Sequence, residues 1–278
     1  MADYQHRTIM VGDIKTHFLE AGSGPDLILL HGGEYGASAE ITWRYNIDAL
    51  AKQFHVVAPD ILGWGQTDKL YSFGDPAGLR IKHLQRLLEI LGIGKAFFVG
   101  NSAGGGVILR ASVRRPAPLQ IHKMVTICGN ASVFKTNSQA ELENYTPSLE
   151  NMKKIVALLY HDEKWQSDEN IRERYESSII PGAWEALSAA RLRSPVHQLR
   201  STTDEFVKQL TQLSIPLLIM SCEHDPLNQC DWDVSFQKIV PGSKVHRFKH
   251  SAHEPQIEET EEFNRVLTEF LLGGRGEL

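Results

Sequence analysis

Residues 96–109, AFFVGNSAGGGVIL, decide the fold of this chain. The first four are apolar and predict a short buried strand, and Val107 to Leu109 can belong to a helix that begins after Ser102. A strand that turns directly into a helix through G-x-S-x-G lifts Ser102 onto an exposed tip, and glycines beside the serine leave room for that turn. The pattern predicts Ser102 as a nucleophile and the N–H of Ala103 as a donor to a developing oxyanion.

Length, charge and cysteine usage limit the class of protein. A chain of 278 residues can form one large domain with an insertion, and a formal net charge of −5 argues against nucleic acid or an anionic membrane as partner. The start of the chain lacks the apolar segment of a secretory signal. The three cysteines have no zinc-ligand spacing. We expect a cytoplasmic protein with a small-molecule substrate, no metal and no organic cofactor.

Apolar runs alternate with helical patterns over most of the chain, which predicts an α/β fold with a mostly parallel central sheet covered by helices on both faces. The first two runs are expected to form a hairpin. The expected strands are residues 8–11, 16–20, 27–30, 56–58, 96–99, 124–128, 215–220 and 245–248. Helices are expected at residues 43–53, around Leu84 to Leu91, and at residues 255–272.

The alternation stops between about Ala131 and Thr203, where the chain is helical and polar. Ser148 is expected to cap a helix there, with one apolar stripe formed by Leu149, Met152, Val156 and Leu159. We therefore expect a core domain of residues 1–130 and 204–278, and a helical lid of residues 131–203.

A nucleophilic serine needs a base, and the base needs an orienting acid. Asp225 and His253 each follow a predicted strand, at the carboxyl edge of the sheet where functional groups gather. Asp225 precedes a proline and could simply form a turn. Glu223 is the alternative acid, and His250 is the alternative base.

Main-chain N–H groups are expected to form the oxyanion hole together with Ala103. Gly33, in the loop after the third strand, is the first choice for the second donor, and Gly32 is the alternative. His31 precedes these glycines and is expected to shape the loop.

The order Ser102, Asp225, His253 resembles the α/β-hydrolase superfamily, and the chain is similar in particular to the bacterial meta-cleavage-product hydrolases, which hydrolyse carbon–carbon bonds. The resemblance extends over residues 24–272. It rests on these stretches: His31-Gly32-Gly33, Gly36-Ala37-Ser38, Trp43-Arg44, residues 56–60, residues 63–68, residues 100–105, and His253 followed by residues 261–264.

The resemblance also implies substrate-binding residues. Asn101 matches the family's asparagine beside the nucleophile, and Arg174 matches the lid arginine that holds the substrate carboxylate with its planar guanidinium. Three positions depart from the family pattern: Glu254 replaces a tryptophan, Glu34 with Tyr35 replaces Gly-Pro, and Thr42 replaces an asparagine. The expected substrate-binding residues are Gly32, Glu34, Thr42, Asn101, Arg174 and Glu254. The two glutamates would disfavour an anionic group beside them.

The favoured function is hydrolysis of a carbon–carbon bond in a diketone-type ring-cleavage product. A carboxylesterase or lactonase with the same serine nucleophile is the alternative. A ligand receptor on this scaffold conflicts with a complete Ser, His and Asp set, and a dehalogenase or epoxide hydrolase would place an aspartate at position 102. The resemblance further implies a homodimer or a larger homo-oligomer.

Overall fold

The computed structural model describes residues 4–134, 136–192 and 203–273. Its strands are β1 (Gln5–Val11), β2 (Ile14–Ala21), β3 (Asp26–Leu30), β4 (His55–Pro59), β5 (Ala96–Asn101), β6 (Ile121–Ile127), β7 (Leu217–Cys222) and β8 (Lys244–Phe248). Its α-helices are α1 (Ala39–Trp43), α2 (Ile47–Leu50), α3 (Pro76–Ile90), α4 (Ala103–Val113), α5 (Gln139–Glu143), α6 (Leu149–Leu159), α7 (Asp168–Ser178), α8 (Ala183–Ser188), α9 (Thr203–Leu210), α10 (Trp232–Ile239), α11 (Pro255–Glu258) and α12 (Thr260–Leu272).

The strands form one sheet in the order β1-β2-β4-β3-β5-β6-β7-β8. β1 and β2 pair as an antiparallel hairpin, β2 also lies antiparallel to β4, and the remaining pairs are parallel. Alternate residues of a strand face opposite sides, so Ile28 and Leu30 pack in one apolar cluster and Leu27 and Leu29 in the other. The predicted fold class is confirmed.

Two helices predicted as continuous are divided in the structure. The expected helix at residues 43–53 is wrong: α1 ends at Trp43 and α2 begins at Ile47. Between them the side chain of Asn46 donates 3.0 Å hydrogen bonds to the Gln256 carbonyl and to Asn264 Oδ1, so tertiary contacts set the local backbone.

The C-terminal helix is likewise divided at Glu259, whose backbone has φ −125° and ψ 50°. Its carboxylate accepts hydrogen bonds from the backbone N–H of His250 and the hydroxyl of Ser251. At this break, Glu259 is therefore hydrogen-bonded to the loop after β8 that carries His253.

The residues between β6 and β7 contain helices α5 to α9 in their described part, which lies outside residues 135 and 193–202. Ser148 caps α6 as predicted, since its hydroxyl accepts from the backbone N–H of Asn151 at 3.1 Å. The buried stripe differs by one residue: Leu149 is exposed, and Ile155 takes its place beside Met152. The domain boundaries remain a prediction, and their terminal residues 1–3 and 274–278 lie outside the described residues.

An apolar cluster joins these helices to the core. Met152 and Val156 of α6 pack with Tyr35 of the loop after β3 and with Leu227 and Ile257. None of the helices in the described residues is long and apolar enough to cross a bilayer.

Candidate active site

Ser102 lies at a sharp turn between β5 and α4. Its φ of 47° and ψ of −109° are unusual for a residue with a side chain. Its backbone N–H donates to the Ile127 carbonyl of the neighbouring strand at 2.7 Å, and its carbonyl accepts from Gly106 at 3.0 Å, which holds the turn at both ends. A Cβ atom at Gly100 would lie 2.4 Å from the carbonyl carbon of Gly104, so glycine is required for this close turn.

Asp225 and His253 are brought together at the carboxyl ends of β7 and β8. The Nδ1 atom of His253 lies 2.9 Å from Oδ2 of Asp225. Nε2 of His253 is buried and has no hydrogen-bond partner within the described residues. His253 and Ser102 line the same cavity, so Nε2 is the nitrogen left for the serine hydroxyl.

The carboxylate of Asp225 is held by more than the histidine. Oδ2 also accepts a hydrogen bond from the Asn228 amide at 2.7 Å, and Oδ1 accepts from the backbone N–H of Leu227 at 2.9 Å. Asp225 therefore forms the turn that its position before Pro226 indicated and also contacts the imidazole. One residue can serve both purposes.

Burial and charge shift the pKa of both partners. Burial favours the neutral carboxyl of Asp225, but the charge of His253 and the hydrogen bonds prevail and lower its pKa. Burial likewise opposes protonation of His253, yet the Asp225 carboxylate raises the pKa of the imidazole above its usual range. The pair thus stabilises the imidazolium that forms when a base removes a proton.

The alternative acid and base lie at the surface. Glu223 is exposed and lies 3.9 Å from Arg247, and His250 is exposed as well. Neither contacts the Asp225–His253 pair in the hydrogen bonds of the described residues.

Gly33 and Ala103 lie close together at the N-terminus of α4. A Cβ at Gly33 would lie 2.6 Å from the Cβ of Ala103, and both residues line the cavity, whereas Gly32 does not. His31 shapes this loop as predicted: its Nε2 accepts from the N–H of Ile61 at 2.9 Å, and its Nδ1 lies 2.6 Å from the Gly32 carbonyl. An acceptor role for Nε2 requires an uncharged ring, and burial lowers the pKa of His31 accordingly.

A cavity of about 540 Å³ opens between the sheet edge and the helices that follow β6. Sequence reasoning missed three arginines in its wall: Arg80 of α3, Arg110 of α4, and Arg191. A signal for the first was present: Arg80 precedes the buried residues Leu84 and Leu87 by four and seven positions, so a charged residue occupies the apolar stripe of α3.

Of the six expected substrate-binding residues, only Glu34 lines the cavity. Gly32, Thr42, Asn101, Arg174 and Glu254 lie behind its wall in this structure. Asn101 donates its amide to the His253 carbonyl at 3.1 Å, and a Cβ at Gly32 would meet Oε2 of Glu34 at 2.3 Å and Oδ1 of Asn101 at 2.9 Å. The Glu34 carboxylate thus occupies the space in front of Asn101.

Arg174 is bound by three side chains of the protein. Its Nη1 donates to Glu34 at 2.8 Å, and its Nη2 donates to Glu254 and to the Tyr160 hydroxyl, each at 2.5 Å. Only 1% of its side chain is exposed. The expected clamp for a substrate carboxylate is therefore occupied by two carboxylates of the chain itself.

The two carboxylates share one guanidinium and differ in pKa. Burial raises the pKa of Glu254, Glu34 raises it further, and the result is a value of about 7. For Glu34 burial acts in the same direction, but attraction to Arg174 prevails and lowers the pKa. Glu34 is therefore the ionised partner of Arg174 at neutral pH.

Within the described residues, Cys128, Asp225 and His253 form a group with metal-ligand spacing, since their candidate ligand atoms lie within 4.8 Å of one another. Two of the three already bind each other. Burial raises the pKa of the Cys128 thiol well above its usual range, which disfavours the thiolate that a metal requires. Acid–base chemistry suits this group better than metal binding.

Comparison with known proteins identifies the family of the chain. A family model described as "Alpha/beta hydrolase family" matches residues 27–266, so the chain belongs to that family of enzymes. It is 26% identical over 266 residues to the 2-hydroxy-6-oxo-2,4-heptadienoate hydrolase of Pseudomonas putida strain F1, covering 95% of each chain. It is 27% identical to the 2-hydroxymuconate semialdehyde hydrolase of Pseudomonas sp. strain CF600, covering 95% of this chain and 93% of that protein.

Among solved structures, the chain is similar to a meta-cleavage product hydrolase from Pseudomonas fluorescens IP01, crystallised as a variant with acetates. The TM-score is 0.85 at 30% identity, with 95% of this chain and 97% of that chain covered. The resemblance inferred from the sequence is confirmed.

Proposed function

We propose that this hydrolase uses Ser102 as nucleophile, His253 as general base and Asp225 as the acid that orients the base. One observation supports the proposal: Asp225 holds Nδ1 of His253, Nε2 has no hydrogen-bond partner within the described residues, and His253 lines the cavity that Ser102 also lines. This is the arrangement that a serine hydroxyl needs to lose its proton as it attacks a carbonyl carbon.

In the proposed reaction Nε2 of His253 takes the proton of Ser102 while the oxygen attacks a substrate carbonyl. The N–H groups of Gly33 and Ala103 stabilise the resulting oxyanion. The imidazolium then returns the proton to the leaving group, and the bond to the carbonyl carbon breaks. Water, deprotonated by the same imidazole, hydrolyses the acyl group from Ser102 and restores the enzyme.

The bond that we propose is broken is a carbon–carbon bond beside a ketone. The supporting observation is that similar proteins over nearly the full chain are named as hydrolases of hydroxy-oxo-dienoates and of 2-hydroxymuconate semialdehyde. A carbon leaving group must be able to accept a proton, so the substrate reacts in its diketone form and His253 delivers the proton to carbon.

Ester or lactone hydrolysis is the second candidate, and one feature of the site favours it. The residues expected to hold a dienoate carboxylate, Asn101 and Arg174, do not line the cavity, and Glu34 lies in front of Asn101. An ester needs only the nucleophile, the base and the oxyanion donors. The groups in place are sufficient for it.

The nucleophile is tested by Ser102→Ala. We expect kcat on any hydrolysed substrate to fall by about five to six orders of magnitude, by analogy with the loss of a serine nucleophile in other hydrolases. Ser138→Ala makes the same change outside the wall of the cavity and should keep kcat within about twofold. Retention of most activity by the Ser102 variant would refute the proposal.

The bond type is tested by a side-by-side assay on a ring-cleavage dienoate, a β-diketone, and simple esters and lactones. A kcat/KM at least tenfold higher for a diketone or dienoate than for every ester supports carbon–carbon cleavage. The reverse order selects the ester hydrolase.

A further inference from the structure

The charged side chains that line the cavity differ in whether they have hydrogen-bond or ion-pair partners. Glu34 is bound by Arg174, and Glu143 has an interaction of its own. Arg191 donates to the Tyr35 hydroxyl at 3.1 Å and to the Tyr145 carbonyl at 2.5 Å. Arg80 and Arg110 are different, because neither forms a direct ion pair with a carboxylate within the described residues; the charge of Asp75 acts on Arg110 only at longer range.

Arg80 lies over an aromatic ring and has no anion partner within the described residues. Its guanidinium carbon lies 4.5 Å from the centre of the Trp64 ring, and the described residues offer it no hydrogen bond or ion pair. A guanidinium over an aromatic ring keeps N–H donors with which it can bind an anion. Burial lowers the pKa of Arg80 to about 10, so the group stays charged at neutral pH.

Trp64 connects this arginine to the reaction centre. Its indole N–H donates to the Glu34 carbonyl at 3.1 Å, and its ring lies 3.7 Å from the position that a Cβ of Gly33 would take. Arg80 is therefore separated by one ring from the loop proposed to bind the oxyanion. A molecule that reaches Ser102 can also reach Arg80.

Arg110 belongs to the cavity face of α4. Ala103, Gly106, Val107 and Arg110 recur at helical spacing and all line the cavity. One amine of Arg110 donates to the Ala131 carbonyl at 2.9 Å, and a Cβ at Gly106 would lie 3.4 Å from the other.

A partly buried charge without a counterion is costly, and a bound anion offsets that cost. We propose that Arg80, assisted by Arg110, binds a carboxylate on the part of the substrate that lies over α3 and α4. The substrate class is then a carbonyl compound with a carboxylate on this side of the reacting bond, and Arg174 does not take part. This inference rests on the proposed function, because it treats the cavity beside Ser102 as the substrate site.

The test measures binding without turnover, in a Ser102→Ala background, by calorimetry. The probes are 6-oxoheptanoate and its uncharged analogue 6-oxoheptanamide. We expect the acid to bind more tightly than the amide, and Arg80→Gln to weaken binding of the acid by about 10- to 100-fold, the value of a charged hydrogen-bonded contact. Binding of the amide should change less than twofold.

The matched control is Arg86→Gln, the same change on the same helix. Arg86 is 61% exposed and pairs with Glu89, so its variant should bind both probes as the parent does. Arg80→Lys keeps the charge without the planar fork and should recover part of the affinity for the acid. Thermal melting of each variant verifies that it is folded.

An unchanged preference for the acid in Arg80→Gln would overturn the inference. So would an equal loss for acid and amide, since that result indicates a packing role only. Neither outcome depends on catalysis: an active Ser102→Ala enzyme would remove the proposed nucleophile while leaving the binding result intact.

Discussion

At the residue scale, the central feature is that one carboxylate organises both a loop and an imidazole. Asp225 accepts from Leu227 and Asn228 and also binds Nδ1 of His253. The hydrogen bonds from Leu227 and Asn228 fix the position of the Asp225 carboxylate independently of His253. A short loop can therefore orient the base.

Replacing Asp225 by Asn should lower kcat about 10³- to 10⁴-fold, because the amide no longer selects the productive tautomer of His253. The pH profile should shift as well. The Asp225 charge raises the pKa of His253, and the base must be neutral, so without that charge the acid limb of kcat/KM moves to lower pH.

The control for this variant is Asp231→Asn, in the segment between β7 and α10, where the side chain is 63% exposed and pairs with Arg247. It should leave the rate and the pH profile unchanged. A rate near that of the parent in Asp225→Asn would contradict the orienting role.

At the element scale, α6, which lies between β6 and β7 in the chain, contacts the candidate active site. Its last residue, Leu159, accepts a hydrogen bond from the backbone N–H of His253 at 2.9 Å, and the next residue, Tyr160, donates its hydroxyl to Glu254 at 2.6 Å. The end of one helix thus holds the loop that carries the proposed base.

The beginning of the same helix offers a test of its stability. Ser148→Ala removes the hydroxyl that accepts from the N–H of Asn151 and should lower the free energy of unfolding by about 1 kcal/mol, measured by urea denaturation. Ser138 precedes α5 without such a side-chain hydrogen bond, so Ser138→Ala should change it by less than about 0.5 kcal/mol. Equal effects of the two variants would show that the cap does not act as described.

The elements also show what the sequence can predict and what it cannot. Strands such as the one that contains residues 27–30 were predictable, because a strand buried on both faces of a parallel sheet is a continuous run of apolar residues. The break between α1 and α2 was not, because the partners of Asn46 lie more than 200 positions away. The position of Arg174 depends on ion pairs with Glu34 and Glu254. Both glutamates lie far from Arg174 in the chain, so the sequence could not predict these contacts.

At the scale of the whole molecule, a buried ionic cluster joins the helices between β6 and β7 to loops at the edge of the sheet. Arg174 and Tyr160 come from the residues between β6 and β7, Glu34 from the loop after β3, and Glu254 from the loop after β8. Such clusters are costly to break by removing one partner, so they fix how two parts of a fold meet.

Glu254 makes this junction sensitive to pH. Its pKa of about 7 in the folded protein exceeds the 4.5 of an unperturbed glutamate, so the folded state binds the proton more tightly. The stability that this provides is complete below pH 4.5 and is lost as the pH rises towards 7.

Glu254→Gln removes this titration. The melting temperature of the variant, relative to that of the parent, should therefore increase between pH 5 and pH 8. Glu261→Gln, an exposed change on α12, should show a constant difference over the same range. A constant difference for Glu254→Gln would contradict the linkage.

The cavity wall has a further practical consequence. The proposed nucleophile, acid and base follow β5, β7 and β8, and Ala103 at the start of α4 is a proposed oxyanion donor, whereas other parts of the wall come from α3 and α8. A mutational library confined to Ala77, Arg80 and Leu187 would alter the shape and charge of the chamber and leave the reacting atoms in place. Directed evolution of substrate preference can thus begin from helices that take no part in bond breaking.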